Sequence, residues 1–324
     1  MKQFVTQYKK MKKISISIPC YNEQDNVYIA YETLKKVFTK IRNYDYEFIF
    51  VDNGSTDKTR ELISKIAKKD KKVKGVFLSK NFGPESSGRA GLDFATGEAF
   101  VGIGCDLQDP PDLIAEFIKK WEQGYDIVMG VYKKVDENIL MKFIRGMFYK
   151  LFNKISNTQI PVNAVGFGLY DRKVVEALKS LPEKYRFERG LTAWVGFKKT
   201  YITYERRKRM KGKSSYNFFD YIKHAERGIF GFSYLVLDLM VYGGFTLVFF
   251  SFLFIIGYLY TVVVIGNPIK ASIPLMLGIV FFGGIQLLAI SIIGKYIQVI
   301  VEETKNRPIY IVEDTVNLNE KIKK

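Results

Sequence analysis

The stretch that decides the fold is Lys13–Val51, which reads KISISIPCYNEQDNVYIAYETLKKVFTKIRNYDYEFIFV. Its first residues, Lys13–Pro19, form an apolar run of strand length, and Tyr46–Val51 form a second one. Between them, Asp25–Ile41 has apolar residues at helical spacing, and Asp25 suits a helix N-terminus. A strand, a helix and another strand in this order predict a βαβ unit with parallel strands.

The same alternation continues for another eighty residues. Further strands are predicted at Lys72–Ser79, Glu98–Gly104 and Asp126–Lys133, and further helices at Ser55–Asp70, Pro84–Thr96 and Pro110–Gly124. The pattern predicts an α/β, Rossmann-like fold with a mostly parallel sheet covered by helices on both faces. Ligands of such sheets bind beyond the carboxyl ends of the strands, so polar residues just past each strand are the candidate site.

Polar clusters follow four of the predicted strands. They are Pro19–Glu23, Asp52–Ser55, Lys80–Gly83 and Asp106–Gln108. A single cluster of this kind is typical of an ordinary turn and helix start. Four clusters at consecutive strand ends indicate a binding site at one edge of the sheet.

The residue types in these clusters suit a nucleotide. The Asp52 carboxylate can accept hydrogen bonds from a base N–H or from ribose hydroxyls, and Tyr21 can offer an aromatic wall. Asp106 and Gln108 supply oxygen ligands for a divalent cation that bridges a diphosphate. No GxxxxGK[ST] or GxGxxG motif follows a strand, so a glycine-rich phosphate loop is not predicted. Asp109 is expected to cap the next helix.

The chain carries a formal net charge of +17, and six of the nine residues in Glu205–Lys213 are basic. Such a segment predicts an anionic partner, either a phosphate group or the surface of an anionic membrane. We expect no nucleic-acid partner, because the basic segment precedes an apolar run and no aromatic-rich nucleic-acid motif is present. Cys20 and Cys105 lack metal-site spacing, which favours a reducing compartment. The basic N-terminus lacks an apolar core, so no cleavable signal peptide is expected.

The C-terminal third contains two long uncharged runs, Leu239–Ile269 and Ala271–Gly294. Each exceeds the ~20 residues that a membrane-spanning helix needs. We therefore predict a transmembrane hairpin, with two buried helices of a soluble protein as the alternative. Basic residues flank both ends, which places the N-terminal region and the C-terminal tail in the cytoplasm. Paired glycines at Gly243–Gly244 and Gly283–Gly284 would allow close helix contact in a homo-oligomer.

Several motifs together resemble a known family. They are SIPCYNEQDNV (Ser17–Val27), VDNGSTDKT (Val51–Thr59), NFG (Asn81–Gly83), CDLQDPPDL (Cys105–Leu113), GFGLYDRKVVEAL (Gly166–Leu178) and RMKGKSSY (Arg209–Tyr216). With the two apolar runs and the tail, they resemble glycosyltransferase family 2 enzymes of the GT-A fold, in particular the polyprenyl-phosphate glycosyltransferases. The resemblance covers nearly the whole chain. It implies transfer of a sugar, with glucose from a UDP-linked donor as the leading expectation, to a lipid such as undecaprenyl phosphate, with inversion.

The resemblance also implies roles for individual residues. The donor nucleotide is expected at Pro19, Tyr21, Glu23, Asp52, Asn81 and Gly83. The cation, Mg²⁺ or Mn²⁺, is expected at Asp106 and Gln108. The acceptor phosphate is expected at Arg209, Lys211 and Ser214, and catalysis at Asp106 and Arg209. For Arg209 the alternative is a purely electrostatic attraction to anionic lipid.

The sequence departs from the family pattern at three positions. Gly104 stands where the first aspartate of the family's DxD motif would be, and Gly166 and Gly168 stand where many relatives have Asp and Arg. These departures leave open a second interpretation, in which the chain is a catalytically silent membrane protein that binds a nucleotide-sugar. A processive polysaccharide synthase is disfavoured, because no QxxRW segment is present and two spans are few for a channel.

The resulting domain plan has four parts. A GT-A domain at 1–215 is followed by an interfacial amphipathic helix at 216–236, two transmembrane helices at 237–296 and a cytoplasmic tail at 297–324. The expected location is the plasma or inner membrane, in which the protein is multi-pass, contacts membrane lipid and keeps its catalytic domain in the cytoplasm.

Overall fold

The computed structural model describes residues 11–133, 146–147, 150, 164–184, 186–207, 228, 231, 234–266 and 272–318. The chain divides into two compact units. One comprises residues 1–224 together with 307–324, and the other comprises residues 225–306.

The first unit is built on an eight-stranded sheet with the spatial order β7-β5-β6-β4-β1-β2-β3-β8. The strands are β1 (Lys13–Cys20), β2 (Asp45–Asp52), β3 (Val73–Leu78), β4 (Ala99–Gly102), β5 (Ile127–Tyr132), β6 (Ala164–Asp171), β7 (Lys199–Tyr204) and β8 (Val312–Val316). The helices are α1 (Val27–Lys40), α2 (Thr59–Lys69), α3 (Pro84–Phe94), α4 (Leu113–Glu122), α5 (Arg172–Ser180) and α6 (Glu188–Trp194).

The central strands are parallel and the flanking strands are mixed. β1 pairs in parallel with both β2 and β4, β2 pairs in parallel with β3, and β5 pairs in parallel with β7. β6 is antiparallel to β4 and to β5, and β8 is antiparallel to β3. The predicted α/β fold with a mostly parallel sheet is confirmed.

The centre of the sheet is buried on both faces, as the apolar strands predicted. On one face of β1, Ile14, Ile16 and Ile18 are fully buried in one hydrophobic cluster with α1 and α4 residues such as Leu34 and Phe117. Burial of an isoleucine side chain of this kind contributes roughly 2 kcal/mol each. These side chains therefore fix which face of β1 points toward α1 and α4.

The opposite face of β1 carries small side chains because α3 packs very close to it. A Cβ atom added to Gly91 in α3 would overlap the hydroxyl of Ser17, and one added to Gly97 would lie 2.9 Å from the Ser15 hydroxyl. The alternation of isoleucine and serine in β1 thus matches two helical layers at different distances from the sheet.

The last strand, β8, belongs to the C-terminal tail and had not been predicted. It covers the free edge of β3, and the Ser79 amide donates to the Ile311 carbonyl 3.0 Å away at the end of the pairing. Asn317 follows β8 with φ of +58° and donates through its side-chain amide to the carbonyls of Ala67 and Val73. The edge that β3 would otherwise expose is thereby paired.

The second unit contains two long helices, α7 (Leu235–Tyr260) and α8 (Ser272–Thr304). A π-helical turn at Thr261–Ile265 continues α7 and ends at Gly266, whose φ is +68°. Leu235–Tyr260 and Gly278–Thr304 are long and apolar enough to cross a membrane, and large side chains such as Phe254 are exposed. The two apolar helices are confirmed, while their insertion in a membrane stays a prediction.

The structure starts three helices later than the sequence predicted. α1 begins at Val27, and its N-cap residue is Asn26 instead of Asp25. α2 begins at Thr59 instead of Ser55, and α4 begins at Leu113 instead of Pro110. In both cases the intervening residues form loops at the carboxyl edge of the sheet. Most of the predicted interfacial helix at 216–236 lies outside the described residues.

Candidate active site

Four loops meet at the carboxyl edge of the parallel strands β4, β1, β2 and β3, which are adjacent in that order. Asp52 ends β2 directly beside Cys20 at the end of β1. The loop after β4 carries Asp106 and Gln108, and the loop after β3 carries Asn81. All four polar clusters therefore lie along one edge.

The loops after β1 and β2 are bound to each other. The Asn22 backbone amide donates to the Ser55 hydroxyl over 2.9 Å, and the Asn22 side-chain oxygen accepts from the Thr56 backbone amide over 2.8 Å. Asn22 has φ of +54°, a conformation that asparagine tolerates better than most residues. The Glu23 amide donates to the Thr59 hydroxyl over 2.8 Å. These bonds hold Tyr21 and Glu23 beside the end of β2.

Asn53 joins the loop after β2 to the loop after β3. Its side-chain NH₂ donates to the Asn81 side-chain oxygen over 3.0 Å and to the Gly83 carbonyl over 3.1 Å. Its side-chain oxygen accepts from the Phe82 amide over 3.0 Å. Gly54 has φ of +70°, and a Cβ there would collide with the Lys80 backbone. The sequence placed Asn53 in a polar cluster but gave it no role, since its partners are about thirty residues further along the chain.

Asp52 is a buried carboxylate, 2% exposed. Burial raises its pKa, and hydrogen bonding from Ser55 and the charge of Arg60 offset this only in part. The Ser55 backbone amide donates to Asp52 Oδ1 over 3.3 Å. A buried acceptor of this kind gains most from ligand donors such as a base N–H or a ribose hydroxyl.

Asp106 and Gln108 lie on a tight turn. The Leu107 amide donates to the Gly104 carbonyl over 3.2 Å, and Leu107 has φ of +49°. The Gln108 backbone amide donates to Asp106 Oδ1 over 3.3 Å. A Cβ at Gly104 would lie 3.1 Å from that same oxygen, so a side chain at this position would sit against the Asp106 carboxylate.

The turn offers a divalent cation one carboxylate and one amide. Within the described residues, no group of three or more His, Cys, Asp or Glu side chains is placed to hold an ion. Mg²⁺ needs only one or two protein carboxylates when substrate phosphates and water complete its coordination. The donor set therefore fits a cation that binds together with a diphosphate, and it does not fit a cation held by protein alone.

Asp109 does not cap a helix, so that expectation is wrong. α4 begins four residues later, and its N-cap position is Asp112. The Asp109 Oδ1 instead accepts from the Tyr204 hydroxyl over 2.5 Å and from the Tyr132 hydroxyl over 3.4 Å. Burial raises the pKa of Asp109, and the bond from Tyr204 and the charge of Arg206 act in the opposite direction.

The end of β7 is also bound to the loop after β4. The Arg207 amide donates to the Gln108 carbonyl over 2.9 Å, and the Arg207 guanidinium lies 3.3 Å from Asp112 Oδ2. The basic segment Glu205–Lys213 therefore starts beside the loop that carries Asp106. Sequence reasoning missed this neighbourhood, because β7 was not predicted.

The two glycines in β6 differ in the space around them. A Cβ at Gly166 would have no neighbour within 4 Å, whereas a Cβ at Gly168 would lie 2.6 Å from the Val128 carbonyl oxygen. Gly166 could therefore accept a side chain, while Gly168 is required by the close approach of β5. Gly102, the last residue of β4, pairs with Gly168. Because β6 is antiparallel to β4, Gly166 lies two residues beyond this pair, toward the carboxyl edge of the sheet, so its open space is near the site.

The predicted site residues thus fall into two groups. Pro19, Tyr21, Glu23, Asp52, Asn81, Gly83, Asp106 and Gln108 are described and lie along the carboxyl edge. Arg209, Lys211 and Ser214 lie outside the described residues. The geometry brings the first group together, and the roles of all of these residues stay predictions.

Comparison with known proteins identifies related sequences over most of the chain. The family model described as glycosyl transferase family 2 matches residues 15–179. An uncharacterised glycosyltransferase of Synechocystis is 39% identical over 303 residues, covering 93% of this chain and 95% of the relative. A prophage-derived bactoprenol glucosyl transferase of Shigella flexneri is 37% identical over 304 residues, covering 93% of this chain and 97% of the relative.

Solved structures resemble the chain more distantly. Mannosyl-3-phosphoglycerate synthase from Rubrobacter xylanophilus is 14% identical with a TM-score of 0.46, and the match covers 72% of this chain and 75% of that one.

Proposed function

Because this chain belongs to glycosyl transferase family 2 and is a glycosyltransferase, we propose that it transfers glucose from a UDP-linked donor to a polyprenyl phosphate. The acceptor and the sugar are suggested by relatives named bactoprenol glucosyl transferase, which match this chain over 93% of its length. The observation that carries the proposal is that Asp52 and Asp106 lie at the same sheet edge, on the loops after β2 and β4, the two strands that flank β1.

The donor nucleoside would bind at the loops after β1, β2 and β3. Asp52 would accept hydrogen bonds from the base or the ribose, and Tyr21 and Pro19 would line the base. Glu23, Asn81 and Gly83 would border the same pocket. The hydrogen bonds through Asn22 and Asn53 support this assignment, because they keep the three loops in place before a ligand arrives.

The diphosphate of the donor would lie beside Asp106 and Gln108. These two side chains would hold Mg²⁺ or Mn²⁺, which offsets negative charge on a diphosphate when bound. With glycine at position 104, most of the remaining ligands must come from phosphate oxygens and water. We therefore expect cation and nucleotide to bind together and each to bind weakly alone.

The acceptor phosphate would attack C1 of the sugar directly. One of its ionised oxygens forms the new bond to C1 while the bond from C1 to the diphosphate oxygen breaks, and the nucleoside diphosphate leaves with the electron pair. Attack from the opposite side inverts the configuration. A phosphate monoester with a second pKa of about 6 is already ionised at neutral pH, so no protein base is needed. The absence of a carboxylate at Gly166 is compatible with this chemistry, in which positioning supplies much of the rate.

The lipid acceptor gives the apolar helices a role. α7 and α8 would anchor the enzyme in the membrane that contains the polyprenyl chain, with the catalytic unit on the cytoplasmic face. Arg209, Lys211 and Ser214 would bind the acceptor phosphate. The position of Arg207 beside Gln108 supports this assignment, because Arg209 follows it by two residues.

The test is a donor panel on the purified full-length protein in nanodiscs. UDP-glucose, UDP-GlcNAc, UDP-galactose and GDP-mannose are each incubated with undecaprenyl phosphate and Mg²⁺ or Mn²⁺, and the lipid product is weighed by mass spectrometry. We expect a hexosyl lipid from UDP-glucose, with a turnover that falls at least about 100-fold in Asp106→Ala. Asp314→Ala, which removes an exposed carboxylate of β8, serves as the matched control.

A catalytically silent protein would give a different result. It would bind a nucleotide-sugar but yield no lipid-linked product from any donor. That outcome would favour the alternative suggested by Gly104, Gly166 and Gly168 and would overturn the proposed transfer.

A further inference from the structure

We infer that Asp109 and Tyr204 form a positioning pair that fixes the start of the basic segment, Glu205–Arg207, against the loop carrying Asp106 and Gln108. The inference rests on the proposed function, since it assigns the pair to alignment of the acceptor side of the site with the donor diphosphate. Neither residue is proposed to touch substrate, so both act through their neighbours.

The pair joins two segments far apart in sequence. The Tyr204 hydroxyl donates to Asp109 Oδ1 over 2.5 Å, across 95 residues of chain. Three residues further on, the Arg207 amide donates to the Gln108 carbonyl over 2.9 Å. One side-chain bond and one backbone bond therefore attach the end of β7 at neighbouring points of the same loop. These two attachments fix both the position and the direction of the chain from Tyr204 to Arg207.

The surroundings hold Tyr204 in one orientation. Tyr204 is 5% exposed, and its ring lies edge-on to Tyr132 and Phe167, with ring centres 5.2 Å and 5.9 Å away. A Cβ at Gly130 would lie 2.6 Å from Tyr204 Cε1, so the glycine makes room for the ring over β5. The hydroxyl is thereby directed at Asp109 by packing before any ligand binds.

The Tyr132 side chain completes the arrangement. Its hydroxyl reaches Asp109 Oδ1 at 3.4 Å, and the Arg206 guanidinium lies over its ring, 5.2 Å from the centre. A hydrogen bond from a hydroxyl to a carboxylate is stronger than one between neutral groups, and burial strengthens it further. Asp109 is thus bound to the end of β5 and the end of β7 at once.

The basic segment continues from Arg207 to Arg209 and Lys211, the residues proposed for the acceptor phosphate. If its start is attached to the Asp106 loop, a small displacement of β7 would misalign acceptor and donor without altering the nucleotide pocket at Asp52. Loss of the pair should therefore affect acceptor use and turnover more than donor binding.

The test compares Tyr204→Phe, Asp109→Asn and the double variant in full-length protein in nanodiscs. Tyr44→Phe is the matched control, because the Tyr44 hydroxyl bonds the Glu122 carboxylate over 2.8 Å at a position before β2, away from the carboxyl edge. For Tyr204→Phe we expect kcat for undecaprenyl phosphate to fall about tenfold and its apparent KM to rise, with the Kd of UDP in Mg²⁺ unchanged within about twofold.

A second measurement does not depend on sugar transfer. Trypsin cleavage after Arg206 and Arg207 should become about tenfold faster in Tyr204→Phe and about threefold faster in Asp109→Asn, because the attachment that protects these exposed residues is loosened. The double variant should be no faster than Tyr204→Phe, since both changes remove one interaction. This readout stands even if the wild type makes no lipid product.

The inference is overturned if Tyr204→Phe matches Tyr44→Phe in cleavage rate and in kcat, or if the effects of the two single variants add. If Tyr204→Phe lowers the melting temperature, the cleavage rate of Asp109→Asn becomes the deciding measurement. Asparagine keeps a side-chain oxygen that can accept from the Tyr204 hydroxyl, so this variant disturbs the fold less. A wild-type rate of cleavage in a folded Asp109→Asn protein would also contradict the inference. If cleavage responds but the wild type transfers no sugar, the pair stands as a structural attachment and the proposed function fails.

Discussion

Three aspartates near one edge of the sheet have different surroundings, which separates their proposed roles. Asp52 is buried, with a bond from the Ser55 amide, and suits donors from a nucleoside. Asp106 is half-buried on a tight turn and suits a cation. Asp109 is already bound by Tyr204. The sequence could not distinguish the last role from helix capping, because the tyrosine comes 95 residues later.

A fourth carboxylate, Glu47 in β2, stabilises the fold at the other end of the sheet. Glu47 is 3% exposed, and it accepts from the Ser15 hydroxyl over 2.5 Å, from Lys74 Nζ over 2.6 Å and from the Thr96 amide over 2.8 Å. Burial opposes its charged form, but the bonds from Lys74 and Ser15 outweigh burial and lower its pKa to about 2.

The low pKa of Glu47 predicts a loss of stability in acid. An unfolded glutamate has a pKa of about 4.3, so the folded state gains roughly 3 kcal/mol from the ionised form at neutral pH. Because the folded pKa is the lower one, this gain is complete above about pH 5. It is lost as the pH falls through 4 toward 2, with more than half gone by pH 3.

The measurement is the free energy of unfolding of detergent-solubilised protein between pH 3 and pH 7, for wild type and Glu47→Gln. We expect Glu47→Gln to be less stable at pH 7, with a difference that shrinks toward pH 3. A difference that stays constant over this range would show that the Glu47 charge does not contribute as described.

At the scale of elements, β8 shows how the tail completes the sheet. β3 would otherwise present an open edge, and β8 pairs with it from Gly75 to Leu78. The exposed ion pair between Arg60 and Glu313, 2.6 Å apart, adds little, since solvent screens it. Asn317 contributes more, because its amide reaches carbonyls on both sides of the turn between α2 and β3.

Substitution of Asn317 should therefore destabilise the first unit. Asn317→Ala loses the bonds to Ala67 and Val73 and forces alanine into φ of +58°, for a total of about 2–4 kcal/mol. Asn317→Gly loses the bonds but tolerates the backbone, so it should cost about 1–2 kcal/mol less than alanine. Melting temperatures of full-length protein provide the measurement.

An exposed asparagine, Asn43, gives the matched control. Asn43→Ala should leave the melting temperature within about 2 °C of wild type. Equal melting temperatures for Asn317→Ala and Asn43→Ala would mean that the Asn317 bonds do not hold the tail.

The elements that the sequence predicted are those with uninterrupted patterns. β1 to β5 are apolar runs, and α1 to α4 have helical spacing, so local pattern and packing agree. β6 was missed because Gly166 and Gly168 resemble a turn, and β8 was missed because it is largely polar and gains its conformation by pairing with β3. Helix starts shifted at α2 and α4 because loop residues there bond to other loops, which a local pattern does not encode.

At the scale of the whole molecule, the position of β8 constrains the path of the chain. β3 precedes α7 and α8 in sequence, and β8 follows them, yet the two strands are paired. If the apolar helices cross a membrane, they must return the chain to the side from which it left. An even number of crossings satisfies this condition, as the predicted hairpin does.

Cysteine labelling of intact cells tests this path. Lys68→Cys on α2 and Glu313→Cys on β8 should react with a membrane-impermeant maleimide only after lysis, whereas Asn267→Cys, between the two apolar helices, should react before lysis. The native Cys20 and Cys105 are buried, so the parent protein gives the background. Labelling of Lys68→Cys and Glu313→Cys from opposite sides would contradict the pairing of β8 with β3 in the membrane-bound protein.

In the proposed enzyme, four loops from separate parts of the chain form one donor site. Hydrogen–deuterium exchange of full-length protein in nanodiscs tests it most directly, with Mg²⁺ present and UDP or GDP added in separate runs. For the nucleotide that binds, we predict slower exchange together in residues 20–26, 52–59, 79–83 and 104–109. Slower exchange elsewhere, for example along α2 alone, with these four segments unchanged, would contradict the account.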